Sequence, residues 1–305
     1  MISSLSASTL KQYNTTYKLW WSFCLKMGLN YLECTTTAVI LFLTEQFQEG
    51  ASYASLNSHR SALSLLLGNK LGSDENISRL LKGAFRQRPN LPKYNYIWDP
   101  QIVLDSISAW YPNNSLPLEK LTKKLAVLLA LCTAHRVQTL SVIKVDNIIL
   151  SQNQIIITIT DLIKTSAVGR EQPTLLLPYF IDKPNICPAK CLEDYLIATE
   201  NIRSSNDLRN LFITHKRPYR PATTQTISRW IKEVLKTSGV DVATFSAHST
   251  RHAATSNARA AGVSVETIRK TAGWTQTSHC FAKHYNRPII VDSFARSIIE
   301  PRSET

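Results

Sequence analysis

The feature of this sequence that most constrains its fold is a helix-breaking segment near residue 90. The stretch Arg86-Gln87-Arg88-Pro89-Asn90-Leu91-Pro92-Lys93-Tyr94 contains two prolines, three cations and no acidic residue. Proline removes a backbone donor and clashes with the preceding turn, so a helix does not run through such a segment. We therefore expect a linker at residues 89–97, between one domain at 1–88 and a second at 98–305. The 305 residues, 44% of them hydrophobic, suffice for a core in each domain.

Residues 1–88 carry the pattern of a small helical domain. Apolar and aromatic side chains recur every three or four positions over residues 8–27. Similar patterns predict helices at 36–49, 52–67 and 75–86, which would form a compact four-helix unit. Its predicted exposed faces carry the cations Lys11, Lys18, Arg60, Arg79 and Lys82.

The pattern of residues 98–305 is also mainly helical, with one short β segment. Helical patterns lie at 101–110 and 118–134, and a β-branched run at 155–160 then predicts a strand. A second strand at 174–178 can pair with it antiparallel after a turn that contains Gly169. Further helices are predicted at 189–199, 224–237, 249–261 and 264–271. The expected fold class is mainly α with a small antiparallel β-hairpin or sheet, in two domains.

The charge of the chain indicates an anionic partner. Lys and Arg number 35 against 22 Asp and Glu, which gives a formal net charge of +13 and a pI near 9.5. The excess is spread over both halves of the chain, and nucleic acid is the polyanion that we favour. A solvated basic surface without such a partner is the alternative.

The cysteines and the apolar runs predict a soluble intracellular protein. Six cysteines are scattered without a CxxC pair, which is typical of free thiols in a reducing compartment. The longest apolar run, at 125–132, is far shorter than the roughly 20 residues that cross a bilayer. The opening residues Met1-Ile2-Ser3-Ser4 do not begin a signal-peptide pattern.

Three groups of residues could carry chemistry. Arg136 follows an apolar helix and has no acidic residue within one helical turn, so we expect it to meet an anion, with a distant carboxylate as the alternative. If Ser246 caps a helix, His248 and Arg251 lie on one face near its N-terminus, where anions bind. Trp274 and Tyr285 offer an indole donor and a phenol nucleophile, although core packing is the more usual role of either residue.

Taken in chain order, these residues resemble the tyrosine recombinase family, also called the phage integrase family. The matching features are Thr133-Ala134-His135-Arg136 after a helix, Lys164 on a β-hairpin, His248-x-x-Arg251 at the head of a helix, Gly273-Trp274, and then Tyr285. The details Arg136-Val137-Gln138-Thr139-Leu140 and Tyr285-Asn286-Arg287-Pro288 are most similar to versions found in eukaryotic mobile elements of the Crypton and DIRS-like kinds. The resemblance covers nearly the whole chain, since the N-terminal unit is similar to the family's helical, SAM-like core-binding domain.

The resemblance implies site-specific DNA cleavage and rejoining, in recombination or integration of a mobile element. Tyr285 would attack a phosphodiester and form a 3′-phosphotyrosyl link without any metal or other cofactor. Of the remaining site residues, Arg136 and Arg251 would clamp the phosphate, His248 would act as general acid and base, Trp274 would donate to or support the phosphate, and Lys164 would protonate the leaving 5′-oxygen.

The sequence also departs from the family pattern. Thr139 stands where many members have an acidic residue that braces the first arginine, and Trp274 replaces a commoner histidine. Cysteines and histidines that lack zinc-ligand spacing are interpreted as structural, and His252 as a helix-packing residue. These structural residues are Cys187, Cys191, His279, Cys280 and His284.

Double-stranded DNA is the implied partner, enclosed by both domains as a clamp. The apolar tail after Tyr285, with Ile289, Phe294 and Ile298 among its members, would dock on a neighbouring protomer to give a homo-tetramer on DNA. Folding back onto its own domain is the alternative for this tail. The eukaryotic resemblance suggests a nuclear location. The candidate DNA contacts are Lys11, Lys18, Arg60, Arg86, Arg88, Lys93, Arg217 and Arg229.

Two rival functions remain open from the sequence. A type IB topoisomerase shares the chemistry but relaxes supercoils as a monomer. A domesticated DNA-binding protein would bind without cleaving, although the presence of all six site residues argues against it.

Overall fold

The computed structural model describes residues 4–33, 35–89 and 95–275. The chain divides into two compact units, Met1–Pro92 and Lys93–Thr305. Most of the expected linker, including Lys93, lies outside the described residues. Ile97, at the end of that expected linker, is fully buried in the core of the second unit.

The described part of the first unit consists of α-helices joined by short connections. Side chains cap the start of each helix: Ser6, Thr35, Ser52 and Asp74 each accept a backbone N–H from the first turn. The helices are α1 (Ala7–Met27), α2 (Thr36–Gln48), α3 (Tyr53–Leu67) and α4 (Glu75–Gln87). All four predicted helices are therefore present, and no end differs from the prediction by more than one residue.

The core of the first unit is aromatic. The Trp20 ring lies 5.6 Å from that of Phe23 and 5.3 Å from that of Phe42, measured between ring centroids. A buried hydrogen bond of 2.9 Å joins Thr16 Oγ1 to His59 Nδ1 beside this cluster. The prediction that Arg60 is exposed is wrong: the residue is half-buried, and its Nη1 donates to the carbonyl oxygen of Gly72 at 3.2 Å.

The second unit is built around a helix that is buried on all sides. The six residues from Leu125 to Ala130 have no exposed surface, which is why this segment is apolar around its whole circumference rather than along one stripe. The helices of the unit are α5 (Pro100–Ser108), α6 (Leu118–Thr133), α7 (Val137–Ser141), α8 (Pro188–Asn206), α9 (Thr224–Thr237), α10 (Ser249–Ala260) and α11 (Val265–Thr271). The buried helix is α6, and α8, α9 and α10 pack against it.

A three-stranded antiparallel sheet lies between α7 and α8. Its strands are β1 (Ile148–Leu150), β2 (Gln154–Thr158) and β3 (Thr174–Pro178), with β2 in the centre. Ile155 pairs with Leu177 and Ile157 with Leu175, and all four side chains are buried. The sequence predicted β2 and β3 but missed β1, because a three-residue strand is too short to show an alternating pattern. The mainly α fold with a small antiparallel sheet is confirmed.

One helix prediction needs correction, and one short helix was missed. Helix α8 continues to Asn206 rather than ending at 199, because Arg203 is buried and holds the last turn in place. Its Nε donates to Thr199 Oγ1 at 2.9 Å and its Nη1 to the carbonyl oxygen of Asn210 at 2.5 Å. The five-residue helix α7 was not predicted at all. None of the described helices has both the length and the apolar composition that crossing a membrane requires.

Candidate active site

Arg136 lies in a sharp turn between α6 and α7. Helix α6 ends at Ala134, whose left-handed backbone (φ 51°) reverses the chain, and Arg136 is the residue that precedes the first turn of α7. The backbone of the turn is held by the Thr139 N–H, which donates to the carbonyl oxygen of Arg136 at 2.8 Å. The side chain of Arg136 is half-buried, and among the described residues no carboxylate forms an ion pair with it. Thr139 is buried, and its link to Arg136 is this backbone hydrogen bond, which any residue other than proline at position 139 would supply.

Arg251 lies in the first turn of α10, and its side chain reaches the turn that carries Arg136. It is 1% exposed, and its Nη1 donates to the carbonyl oxygen of Ala134 at 2.7 Å. Its guanidinium carbon lies 4.2 Å from the centre of the Trp274 ring, which is a cation–π contact. The two arginines of the predicted clamp are thereby tied to one turn of the chain.

His248 immediately precedes α10, so the predicted cap at Ser246 is wrong. The helix begins at Ser249, and Ser246 instead accepts the Ser249 N–H through its own carbonyl oxygen at 2.8 Å. His248 is exposed to solvent, yet the protein atoms crowded around the ring and the positive charges of Arg251, Arg136 and Lys164 lower its pKa to about 4. Three predicted site residues are therefore near enough to His248 to act on its charge.

Lys164 lies in the loop between β2 and β3, at residues 159–173. Its side chain is exposed, while the neighbouring Ile163 is buried. The backbone N–H of Lys164 donates to Gln138 Oε1 at 3.2 Å. The nearby carboxylate of Asp161 is 3.7 Å from Lys144 Nζ, so it is engaged by a different cation.

Trp274 packs against the turn and against the Arg251 side chain. It is 9% exposed and packs with Ala134, Ile268 and Ala272. The preceding Gly273 has a positive φ of 67°, and a Cβ there would lie 3.2 Å from His135 Cε1. Glycine is therefore favoured here by the backbone conformation, and a larger residue would also press on His135.

His135 joins these elements from the inside. It is 5% exposed, and desolvation together with the positive charges of Arg251 and Arg136 lowers its pKa to about 4, although a hydrogen bond to the Thr271 backbone opposes the shift. A neutral imidazole at this position adds no further positive charge beneath the two arginines.

Tyr285 and everything after Thr275 lie outside the described residues. The same holds for His279, Cys280, His284 and the apolar tail. The structure thus brings together Arg136, Lys164, His248, Arg251 and Trp274 around one region of the second unit. The nucleophile itself stays a prediction from the sequence.

The described residues contain no group of three His, Cys, Asp or Glu side chains that could hold a metal ion. Cys187 precedes α8, and its Sγ accepts backbone N–H groups from Phe180 at 3.3 Å and Lys190 at 3.4 Å. Cys191 is fully buried in the core. Cys187 therefore caps the start of α8, and Cys191 packs in the core.

The predicted DNA contacts differ in exposure and in the contacts that their side chains make. Arg88 carries its guanidinium 4.0 Å from the centre of the Phe47 ring. Arg60 is half-buried and bonded within its own unit, which makes it the weakest candidate. The remaining described candidates are exposed: Lys11, Lys18, Arg86, Arg88, Arg217 and Arg229.

Sequence reasoning missed three residues that build the site. His135, Gln138 and Arg170 all contact site elements through tertiary structure, and Arg170 Nη2 donates to the carbonyl oxygen of Gly273 at 2.8 Å. The only signal available was proximity in sequence, since His135 and Gln138 flank Arg136. Nothing in the sequence pairs Arg170 with Gly273.

Known proteins are similar to this chain in sequence and in fold. Residues 111–289 match the model of the Phage integrase family. The structure is similar to a lambda integrase dimer bound to a COC′ core site, with a TM-score of 0.53 and 16% identity over 99% of this chain and 75% of that one. It is also similar to XerH site-specific recombinase bound to difH substrate, with a TM-score of 0.56 and 16% identity over 88% of this chain and 70% of that one. The Tn1549 transposon integrase in complex with circular intermediate DNA gives a TM-score of 0.50 and 14% identity over 88% and 85%.

The match to the family model spans more than half of the chain, so the protein belongs to the phage integrase family. Its class is that of the tyrosine recombinases, enzymes that cleave and rejoin DNA. At identities of 14–16% the solved structures show a shared fold. No protein with a curated description matches the chain.

Proposed function

We propose that the protein breaks and rejoins DNA strands through a covalent 3′-phosphotyrosyl intermediate formed by Tyr285. The observation that carries this proposal is the convergence of two arginines, a lysine, a histidine and a tryptophan on one region, as described above. Attack by the phenol oxygen on phosphorus breaks the bond to the 5′-oxygen, which leaves as a hydroxyl after it gains a proton. The energy of the broken ester is retained in the phosphotyrosine, so that a second 5′-hydroxyl can reverse the step.

The role of each residue follows from its chemistry. Arg136 and Arg251 donate to the non-bridging phosphate oxygens and stabilise the added charge of the pentavalent transition state. His248 is neutral before DNA binds because its pKa is low, so it is able to accept the phenol proton. The negative phosphate would raise that pKa and strengthen His248 as a base.

The remaining two residues complete the reaction. Lys164 protonates the departing 5′-oxygen, and its exposed position gives it access to DNA. Trp274 supports the phosphate and keeps Arg251 oriented through their ring contact.

We further propose that the substrate is duplex DNA at the ends of a mobile element, with a nuclear site of action. Support comes from the quoted motifs, which are similar to those of eukaryotic Crypton and DIRS-like elements, and from likeness to a transposon integrase. The two units would close around the duplex, and the apolar tail after Tyr285 would dock on a neighbouring protomer to assemble a tetramer. Self-association is supported by the similarity of this chain to lambda integrase in a dimer bound to its core site.

Covalent trapping tests this proposal. Nicked duplexes that carry candidate element ends are incubated with the wild type and with Tyr285→Phe, and covalent adducts are separated in denaturing gels. We expect an adduct with the wild type and none with the variant, while both bind the duplex. Binding without any adduct in the wild type would instead indicate a DNA-binding protein, and relaxation of plasmids that lack a target site would indicate a topoisomerase.

A further inference from the structure

The loop that carries Lys164 is attached to the rest of the site at two points. On one side, Gln138 Oε1 accepts the backbone N–H of Lys164 at 3.2 Å. On the other side, Arg170 Nη2 donates to the carbonyl oxygen of Gly273 at 2.8 Å. Gln138 is two residues after Arg136, and Gly273 is directly before Trp274. Both attachments therefore connect the loop to segments that carry other site residues.

The loop between these attachments is internally bonded. The Ile163 N–H donates to Ser166 Oγ at 2.9 Å, and Ser166 Oγ lies 2.8 Å from Gln172 Nε2. The Ile159 N–H donates to the carbonyl oxygen of Pro173 at 3.2 Å and closes the base of the loop. A loop with such internal bonds moves as one piece, so its external attachments set its position. Besides the two above, Lys144 Nζ pairs with the Asp161 carboxylate at 3.7 Å near the base of the loop.

These attachments matter most for Lys164. Its side chain is long, exposed and rich in rotamers, so the position of its backbone decides where the ammonium can reach. General acid catalysis requires the donor to lie within hydrogen-bond reach of the leaving oxygen. The backbone of Lys164 must therefore be held relative to Arg136, and the Gln138 contact does this directly.

We propose that Gln138 and Arg170 are positioning residues that hold the Lys164 loop in place for protonation of the leaving 5′-oxygen. This inference rests on the proposed function. Gln138 acts by accepting from the Lys164 backbone, and Arg170 by fixing the far side of the loop to the Gly273 carbonyl. Neither residue is proposed to touch the DNA.

A sulfur leaving group separates this role from a general structural one. A DNA strand with sulfur in place of the bridging 5′-oxygen leaves as a thiolate, and because a thiol has a pKa of about 8.5, departure needs no proton from Lys164. Single-turnover cleavage is measured on oxygen and sulfur substrates for the wild type, Gln138→Leu and Arg170→Met. We expect both variants to be about three- to tenfold slower than wild type on the oxygen substrate, the effect of one lost hydrogen bond, and equal to wild type on the sulfur substrate.

Conservative variants and a surface variant are the controls. Gln138→Glu keeps an acceptor oxygen and Arg170→Lys keeps a donor, so each should restore cleavage of the oxygen substrate. Val168→Ala changes a fully exposed side chain of the same loop and should change neither rate. An equal loss on both substrates, or no loss on either, would overturn the proposal.

Hydrogen–deuterium exchange tests the attachments without any cleavage. We expect Gln138→Leu and Arg170→Met to increase exchange in the peptide covering residues 159–173, with exchange in α9 unchanged. Unchanged exchange in the loop would overturn the inference, whether or not the wild type cleaves DNA. A wild type that cleaves neither substrate, with faster loop exchange in the variants, would count against the proposed function and leave the attachments supported.

Discussion

Arg251 donates from Nη1 to the carbonyl oxygen of Ala134, 2.7 Å away, and so joins the start of α10 to the turn that carries Arg136. The two residues are 117 positions apart in the chain. A carbonyl of the left-handed Ala134 is directed to the guanidinium, and the same guanidinium lies over the Trp274 ring. One buried side chain thus relates three segments of the site.

Replacing Arg251 by lysine tests this relationship. Lysine keeps the positive charge, but its single ammonium cannot donate to Ala134, stack on Trp274 and reach a phosphate with one planar group. We expect Arg251→Lys to slow single-turnover cleavage by about 100-fold or more while the variant remains folded. Cleavage of a nicked duplex measures the loss.

Arg259→Lys is the matched control, because Arg259 is on the same helix and exposed. It should cleave at the wild-type rate. Wild-type cleavage by Arg251→Lys would show that charge alone is sufficient at this position.

A side chain at Gly273 is expected to destabilise the fold. Its φ of 67° is unfavourable for other residues by about 1–2 kcal/mol, and a Cβ would also press on His135 at 3.2 Å. Gly262→Ala has the first cost without the second, since its φ is 87° and nothing lies within 4 Å of the added Cβ. We expect Gly273→Ala to lower the free energy of unfolding by more than Gly262→Ala does, as measured by urea denaturation. Equal losses would show that His135 yields without cost.

Acid should destabilise the second unit through His135. The pKa of its buried ring is about 4 in the folded protein against an ordinary 6.5, so the unfolded chain binds more protons between these values. The contribution of His135 to the free energy of unfolding is therefore fully present above about pH 6.5. It is lost as the pH falls towards 4, by roughly 3 kcal/mol. Unfolding followed from pH 7.5 to pH 4.5 should show this loss.

His135→Gln removes the titrating group and keeps a neutral amide of similar size. The variant should lose less stability than the wild type over the same pH interval, even if it is less stable at pH 7.5. Parallel pH curves for the two proteins would argue against His135 as a source of acid sensitivity.

The sequence and the structure agree most closely where information is local. Helix α9 was predicted at both ends, because Thr223 caps it and the spacing of Ile227, Trp230 and Ile231 repeats with the helical period. Strand β3 was predicted at both ends as well. The last turn of α8 was missed since Arg203, a charged residue, is satisfied only by carbonyl groups that tertiary structure brings to it.

The site shows the same division. The motif order led to Arg136, Lys164, His248, Arg251 and Trp274, and all five lie within the second unit. The contacts of Gln138 and Arg170 join residues 26 and 103 positions apart, and no periodicity or spacing predicts such pairs. The proposed positioning residues are therefore recognised only in the folded chain, whereas the proposed catalytic residues follow an order that can be recognised in the sequence.

Salt dependence should identify which exposed cations meet DNA. Each phosphate contact that is lost reduces the slope of log affinity against log salt by about 0.9 on duplex DNA. Arg217 and Arg229 are exposed on the second unit, and among its described residues neither forms an ion pair. We expect Arg217→Ala and Arg229→Ala each to weaken binding and to reduce the slope by about 0.9.

Arg209→Ala is the control, because Arg209 already pairs with Asp146 at 3.0 Å, and it should leave the slope unchanged. Titrations of a labelled duplex at several salt concentrations measure the slopes, and an unchanged slope in Arg217→Ala or Arg229→Ala would remove that residue from the interface.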